Sequence, residues 1–138
     1  MSIQATANPQ VGDRIVHKDF PPITRHTLAL YCGASGDHNP MHVDIDFARN
    51  AGFPDVFSHG MLVMAYLGQA LTDAVRPDNI RSFSTRFAAI TQLGAKLTCE
   101  GTVTELFEAD GEKRARLALA AKDETGETKL AGEAVVAL

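Results

Sequence analysis

The sequence predicts one α+β domain over residues 1–138, in which a curved antiparallel sheet wraps around a long central helix. Three observations support this class. The length of 138 residues suits a single domain with a sizeable core. A long apolar segment lies in the middle of the chain, and strand-like runs fill most of the chain after it. The order of these elements places one helix ahead of one sheet.

The central helix is predicted from about Ser58 to Val75. Ser58 or His59 stands at its start and Pro77 follows its end. Residues 61–67 are apolar on every side, and a helix that is apolar all round is expected to be buried all round. Met61 and Met64 are therefore expected in the core.

Four runs after the helix are predicted to be strands. In the second of them apolar residues alternate with polar ones, as expected for a strand with one buried face. Gly111 and the polar cluster at 123–127 mark hairpin turns. The runs cover residues 80–90, 95–107, 113–122 and 128–138.

The part of the chain before the helix is predicted to frame a polar loop. Residues 12–20 form a short strand that can join the sheet, and Thr24 caps a helix that ends before Gly36. Asp, Asn and Pro residues make 37–40 a turn, and 46–50 can form one helical turn.

A buried helix followed by a curved antiparallel sheet is the hotdog architecture. A single sheet of this kind leaves unpaired edges and one apolar flank open. Two copies pairing edge to edge would cover them, so a homodimer is expected.

Composition and charge exclude several classes of protein. Apolar residues make up 45% of the chain and charged residues 22%, which argues against disorder. The net charge is -4 with scattered cations, so a nucleic-acid partner is not expected. No signal peptide is expected, because the N-terminus has no basic region followed by an apolar run. No membrane-spanning segment is expected either, because the longest apolar stretch is too short. Cys32 and Cys99 are predicted to be buried free thiols, and the protein is predicted to be cytoplasmic.

The densest polar cluster, residues 35–42, carries the candidate chemistry. Asp37 and His42 are five positions apart, and Pro40 stiffens the connection between them. A turn can bring the carboxylate and the imidazole to a common point. Hydration of an enoyl thioester needs an activated water at C3 and a proton at C2, which such a pair can supply. Each well-placed acid or base contributes about 10²–10⁴ in rate.

The start of the central helix supplies the second requirement of this reaction. The thioester oxygen gains negative charge as C2 becomes enolate-like, and helix-terminal amides can stabilise that charge. Gly60 lacks a Cβ, so its backbone can approach a ligand carbonyl closely.

These segments resemble the hydratase 2 signature of MaoC-like dehydratases and R-specific enoyl-CoA hydratases. The signature has an aromatic residue, a step of small residues, Gly-Asp-x-Asn-Pro-aliphatic-His, and a small residue six positions later. Its parts appear here as Tyr31, residues 32–35, residues 36–42 and Ala48. The His-Gly-Met-Leu start of the family's central helix appears at 59–62. The chain is also similar to mycobacterial-type β-hydroxyacyl dehydratase subunits, from about Val11 to its C-terminus.

The resemblance implies the fold, the activity and several roles. It implies a hydro-lyase of fatty acid metabolism that interconverts enoyl and (R)-3-hydroxyacyl thioesters of coenzyme A or a carrier protein, with no cofactor. The catalytic pair falls on Asp37 and His42, and the oxyanion amide on Gly60. Asn39 matches the motif Asn that braces the loop.

Asn39, His59 and Met61 are the candidate substrate contacts. Gly68 stands where R-specific hydratases carry a Ser near the acyl site.

Alternatives remain open at this point. A hotdog thioesterase would attack the carbonyl instead of C3, and a non-catalytic or partner-dependent subunit would need a second chain. A metal site in the histidine-rich region fits no standard zinc spacing, and Ser35 and Ser58 lack a nucleophile elbow. Arg81, Arg86 and Lys96 are either phosphate contacts or ordinary surface charge.

Overall fold

One antiparallel sheet of five strands carries the fold in a computed structural model that describes residues 8–138. In spatial order the strands are β1-β3-β4-β5-β2, with every neighbouring pair antiparallel. The sheet and the helix packed on it confirm the predicted α+β hotdog class. The strands are β1 (Arg14–Asp19), β2 (Ile80–Phe87), β3 (Thr98–Ala109), β4 (Glu112–Lys122) and β5 (Thr128–Ala137).

Three α-helices lie within the described residues, each at its predicted place. They are α1 (Arg25–Ser35), α2 (Ile45–Asn50) and α3 (Gly60–Ala74). The Thr24 hydroxyl caps α1 by accepting from the Thr27 amide at 3.1 Å, as predicted. Short 3₁₀ turns at Pro40–His42 and Pro77–Asn79 complete the helical content of this region.

The core lies between one face of α3 and the concave face of the sheet. The buried side chains of α3 are Leu62, Val63, Leu67, Ala70 and Leu71. Each fully buried side chain of the Leu or Val type contributes about 1.5–3 kcal/mol relative to an exposed one.

The predicted all-round burial of α3 is wrong for the single chain. Met61 is 53% exposed and lies outside the core, whereas Met64 packs partly against it. The sheet covers only one side of the helix, and the exposed positions on its other side are Met61, Ala65, Gln69, Thr72 and Asp73.

Two predicted strand boundaries are also wrong, and the difference shapes the site. The sequence predicts that the first strand after the helix ends at Ile90 and that the second begins at Ala95, but β2 ends at Phe87 and β3 begins at Thr98. The amides of Ala88 and Ala89 turn toward the Lys129 carbonyl, at 3.0 and 3.3 Å. The chain then leaves the sheet and crosses to the residues that precede α3.

Cys32 and Cys99 are both free and buried, as predicted. Burial raises the pKa of the Cys99 thiol to about 12, so this thiol stays protonated and unreactive in the native state. Between residues 8 and 138, the structure contains no helix long and apolar enough to cross a membrane.

Candidate active site

A hydrogen-bonded turn places Asp37 directly after α1. The helix ends at Gly36, which adopts the left-handed conformation with φ of +76°. The Ser35 hydroxyl donates to the Tyr31 carbonyl at 2.6 Å and accepts from the Asp37 amide at 3.1 Å. Asp37 itself is exposed, so its carboxylate faces the solvent side of the site.

Asn39 braces the next turn, as the resemblance implies. Its Oδ1 accepts from the Met41 amide at 3.1 Å and caps the 3₁₀ turn Pro40–His42. Asp37 Oδ1 accepts from the Asn39 amide at 3.2 Å in the same manner. These two side-chain bonds fix the loop and turn His42 inward, where it is 8% exposed. Contact between Asn39 and substrate stays a prediction.

The tautomer of His42 is set by a backbone carbonyl. His42 Nδ1 lies 2.7 Å from the Phe57 carbonyl oxygen, which can only accept, so Nδ1 carries the proton. In the neutral ring Nε2 then presents a lone pair. The ligand atoms of Asp37, His42 and His59 all lie within 4.8 Å of one another. At such a separation one water can bridge the carboxylate and the imidazole.

His59 lies behind His42 and contacts both members of the pair. It is 1% exposed, and its ring stacks on His42 with centroids 3.9 Å apart and planes 26° apart. Its Nε2 donates to the Asp37 carbonyl at 3.3 Å and lies 3.4 Å from Cys32 Sγ. Burial, and then the neighbouring His42, lower the pKa of His59, so it is held neutral.

This arrangement gives His59 a supporting position beneath the pair. With the proton on Nε2, the His59 Nδ1 is an acceptor, and it has no hydrogen-bond partner among residues 8–138. Direct contact of His59 with substrate stays a prediction, as does that of Met61.

The N-terminus of α3 offers amides to a substrate oxygen. His59 makes no side-chain cap bond there, and the first amides of a helix have no acceptor within it. Gly60 follows His59 directly, so its amide is adjacent in the chain to the acid–base site.

A neighbour that the sequence did not reveal covers Gly60. A Cβ on Gly60 would lie 2.8 Å from Phe87 Cε1, so the absence of a side chain accommodates this ring. The Phe87 ring, which is 58% exposed, therefore occupies part of the space through which a ligand was expected to reach the Gly60 backbone. No sequence periodicity pairs these two residues, because the contact arises where β2 ends.

An open pocket of about 320 Å³ adjoins this helix terminus. Its wall is the segment 88–91, which follows β2, and its floor is the start of α3. The size is at the lower end of ligand sites, which suits a small ligand. The residues that line it include Phe57, Ser58, Gly60, Val63, Phe87 and Lys129.

The geometry favours acid–base chemistry over a metal at Asp37, His42 and His59. The three are close enough for their ligand atoms to meet at an ion. However, an imidazole binds a metal in the plane of its ring, and the stacked rings of His42 and His59 direct their lone pairs along nearly parallel planes. One ion would meet both rings only after they unstacked.

The candidate serines and cations are largely committed elsewhere. The Ser58 hydroxyl donates to the His59 carbonyl at 3.0 Å, and Ser35 bonds within its turn. Arg81 forms two bonds to Glu112, at 2.7 and 3.1 Å, and is a structural residue. Arg86 and Lys96 form no ion pair within the described part of the chain, so both can meet an anionic group.

The fold is a hotdog domain, and its candidate acid–base residues, Asp37 and His42, lie beside a helix terminus without a side-chain cap. The chain matches the model of the MaoC-like domain over residues 6–125, and it belongs to that family. The predicted family is thereby confirmed.

Relatives with known names agree with this placement. The chain is 37% identical over 113 residues to the fatty acid synthase subunit beta of Aspergillus oryzae, covering 78% of this chain and 5% of that protein. It is 34% identical over 86 residues to the (R)-specific enoyl-CoA hydratase of Rhodospirillum rubrum, covering 61% of this chain and 60% of that one. The chain thus spans between a twentieth and three fifths of these two relatives.

A solved structure extends the likeness to the whole fold. The unliganded R-hydratase PhaJ1 from Pseudomonas aeruginosa superposes with a TM-score of 0.81 at 28% identity. The match covers 95% of this chain and 83% of that one, which confirms the hotdog architecture.

Proposed function

We propose that this protein catalyses the reversible hydration of trans-2-enoyl thioesters to (R)-3-hydroxyacyl thioesters. The observation that carries the proposal is the approach of Asp37 and His42 to within 4.8 Å, with the His42 tautomer set by Phe57. The named relatives support the same reaction, because one is an (R)-specific enoyl-CoA hydratase.

The proposed chemistry follows from the positions of Asp37 and His42 and from the tautomer of His42. Asp37 and His42 hold one water between them, and the lone pair on His42 Nε2 is free to accept its proton. The water oxygen bonds to C3 while the C2–C3 double bond opens toward C2. The proton then passes to C2, so the pair ends as it began. Each positioned group contributes about 10²–10⁴ in rate.

The amide of Gly60 binds the thioester oxygen in this scheme. Negative charge grows on that oxygen as the double bond opens, and the uncapped start of α3 meets it with unpaired N–H groups. One such donor is worth about 10²–10³ in rate. The acyl group then enters the neighbouring pocket between Val63 and Phe87.

The assembly is proposed to be a homodimer of single-domain chains. Strands β1 and β2 are the open edges of the sheet. Exposed apolar side chains lie near the β2 edge, with Met61 at 53%, Phe87 at 58% and Ile90 at 42% exposure. A second copy would cover both features.

The setting is proposed to be fatty acid metabolism in the cytoplasm. The substrate is a thioester of coenzyme A or a carrier protein, and no cofactor is required. Arg86 and Lys96 are the cations available to its phosphates, whereas the net charge of -4 argues against nucleic acid or membrane partners.

The test is the rate of hydration of a short enoyl-CoA by purified single variants. Asp37→Asn and His42→Ala should each lower kcat by at least about 10²-fold while the fold is retained. His38→Ala and Asp46→Asn are the matched controls, because both residues are exposed and lie outside the pair. Wild-type rates in either of the first two variants would contradict the assignment.

A second measurement separates hydration from thioester hydrolysis. Enoyl absorbance and free thiol are followed together in one reaction. Loss of absorbance without thiol supports the proposal, and thiol release without prior loss of absorbance indicates a thioesterase. Activity that appears only after a partner chain is added would identify a subunit of a heteromeric dehydratase.

A further inference from the structure

A buried lysine outside the acid–base site holds the pocket wall. Lys129 on β5 is 5% exposed, although lysine is rarely buried without partners. Its ammonium donates to the Ile90 carbonyl at 2.9 Å, bonds to Glu127, and lies 3.4 Å from Asp123 Oδ2. Three acceptors for three N–H groups leave no donor for a ligand.

Electrostatics keep this lysine charged in its buried position. Burial by itself lowers the pKa of Lys129, but the bond to Glu127 and the charges of Glu127 and Asp123 outweigh it and raise the pKa. The ammonium is therefore a permanent donor to the Ile90 carbonyl, and removing it would leave that carbonyl and Asp123 short of a partner.

The main chain of Lys129 holds the same segment from a second point. Its carbonyl accepts from the amides of Ala88 and Ala89, at 3.0 and 3.3 Å. Residues 88–91 form the pocket wall, and this wall lacks regular strand pairing because β2 has already ended. Backbone and side chain of one residue thus hold the irregular segment at three of its four positions.

The wall in turn holds the elements of the proposed active site. The Ser58 amide donates to the Thr91 carbonyl at 2.9 Å, and Phe57 forms an isolated bridge with Gln92. The Phe57 carbonyl is the acceptor that sets the His42 tautomer, and Ser58 lies two residues before Gly60. Hydrogen bonds, joined by short stretches of main chain, therefore connect Lys129 to His42 and to the start of α3 at Gly60.

We propose that Lys129 is a positioning residue: it fixes residues 88–91 and, through Phe57 and Ser58, the orientation of His42 and the Gly60 amide. This inference rests on the proposed hydratase function for its effect on rate. It does not rest on that function for its effect on structure.

The principal variant is Lys129→Met, which keeps the apolar stem and removes the donors. Lys122→Met is the matched control, because Lys122 stands beside Lys129 on the neighbouring strand β4, opposite Thr128, but its ammonium pairs with Glu100 of β3 at 2.7 Å. Glu127→Gln removes only the exposed acidic partner and leaves the bond to Ile90. Two quantities are measured: kcat and KM for a short enoyl-CoA, and hydrogen exchange of the Ser58 amide by NMR.

Lys129→Met is expected to lower kcat about tenfold or more, since displacement of a reacting group by about 1 Å can cost roughly 10²-fold. Exchange of the Ser58 amide should accelerate by a similar factor, while KM changes less than kcat. Lys122→Met should leave both quantities within about twofold of wild type, and Glu127→Gln should lie between the two.

A variant that loses stability but keeps wild-type kcat and Ser58 exchange would overturn the proposal, because the lysine would then be merely structural. Should Lys129→Met fail to fold, the same measurements on Lys129→Gln decide, since glutamine keeps an N–H donor without the charge. If the wild-type protein hydrates no enoyl thioester, the proposed function fails while Ser58 exchange still decides the positioning role.

Discussion

The contact between Gly60 and Phe87 can be tested by substitution, because a second glycine in α3, Gly68, serves as the control. Gly60→Ala and Gly68→Ala make the same chemical change in one helix. At Gly68 the new methyl would lie 3.7 Å from Phe83 Cε1, an ordinary contact. At Gly60 it would lie 2.8 Å from Phe87 Cε1 and 3.0 Å from Cδ1.

The magnitudes follow from these distances. Gly68→Ala removes a glycine from a helix interior and should stabilise the protein by about 0.5–1 kcal/mol. Carbon atoms pack best at about 3.5–4.0 Å, so Gly60→Ala must push the Phe87 ring outward by about 0.7–1.2 Å. Overpacking costs about 1–3 kcal/mol, and the 58% exposure of Phe87 favours the lower figure. The two variants should therefore differ by at least about 1 kcal/mol.

Urea unfolding of both variants, and of each combined with Phe87→Ala, measures this difference. The double-mutant cycle of Gly60→Ala with Phe87→Ala should give a coupling free energy of about 0.5–1 kcal/mol. The cycle of Gly68→Ala with Phe87→Ala should give none. Gly60→Ala should also lower kcat by about 10–10²-fold, because the methyl and the ring sit beside the amide that is proposed to bind the oxyanion. Equal stability of the two variants, with no coupling to Phe87, would refute the reasoning.

Two further predictions concern pH. Because the pKa of His59 is lowered from 6.5, its contribution to stability is present above about pH 6.5 and is lost as the pH falls below it. The urea midpoint of the wild-type protein should therefore drop between pH 7 and pH 5, and His59→Phe, which keeps a stacking ring, should make that drop smaller. An unchanged pH profile in His59→Phe would contradict a buried neutral His59. Hydrogen bonds from Arg81 and then Arg114 lower the pKa of Glu112 from 4.5 to about 2. The contribution of Glu112 to stability is therefore present above pH 4.5 and is lost as the pH falls toward 2. Glu112→Gln should reduce the loss of stability in acid, and a loss as steep as that of wild type would count against the ion pair.

The sequence predicted the fold well where periodicity and turn chemistry agreed. The hairpin joining β3 and β4 lies at Gly111, and the one joining β4 and β5 lies at 123–127, because both segments carry residues suited to turns. The prediction was wrong at 88–90, where it continued the strand past the end of β2, and at 95–97, where it began the next strand too early. Tertiary bonds to Lys129 and to the Phe57–Ser58 segment decide the first of these boundaries, and no local pattern reports them.

The residues of the candidate site likewise fall into those placed by local turns and those placed by tertiary contacts. Asp37 and His42 are close in sequence, so their spacing predicted that the carboxylate and the imidazole approach each other, as they do. The role of Asn39 came from the family resemblance. Phe87 and Lys129 lie far from residues 37–42 in the sequence, on the paired strands β2 and β5, and they line the adjoining pocket only because of the path of the chain after β2. The position of His59 beneath His42 likewise depends on how α3 packs against the rest of the fold, which the composition of the sequence does not predict.

The position of Phe57 explains why the two halves of the site are best regarded as one unit. Its carbonyl accepts from His42, and its chain leads within three residues to the Gly60 amide. His59, between them, stacks on the same imidazole and donates to the Asp37 carbonyl. A displacement of residues 57–60 would therefore move the proposed base and the proposed oxyanion donor together, and would keep the two groups matched in the proposed reaction. A single variant in this segment should accordingly alter kcat through both groups, and effects of paired variants within it should fall short of additivity.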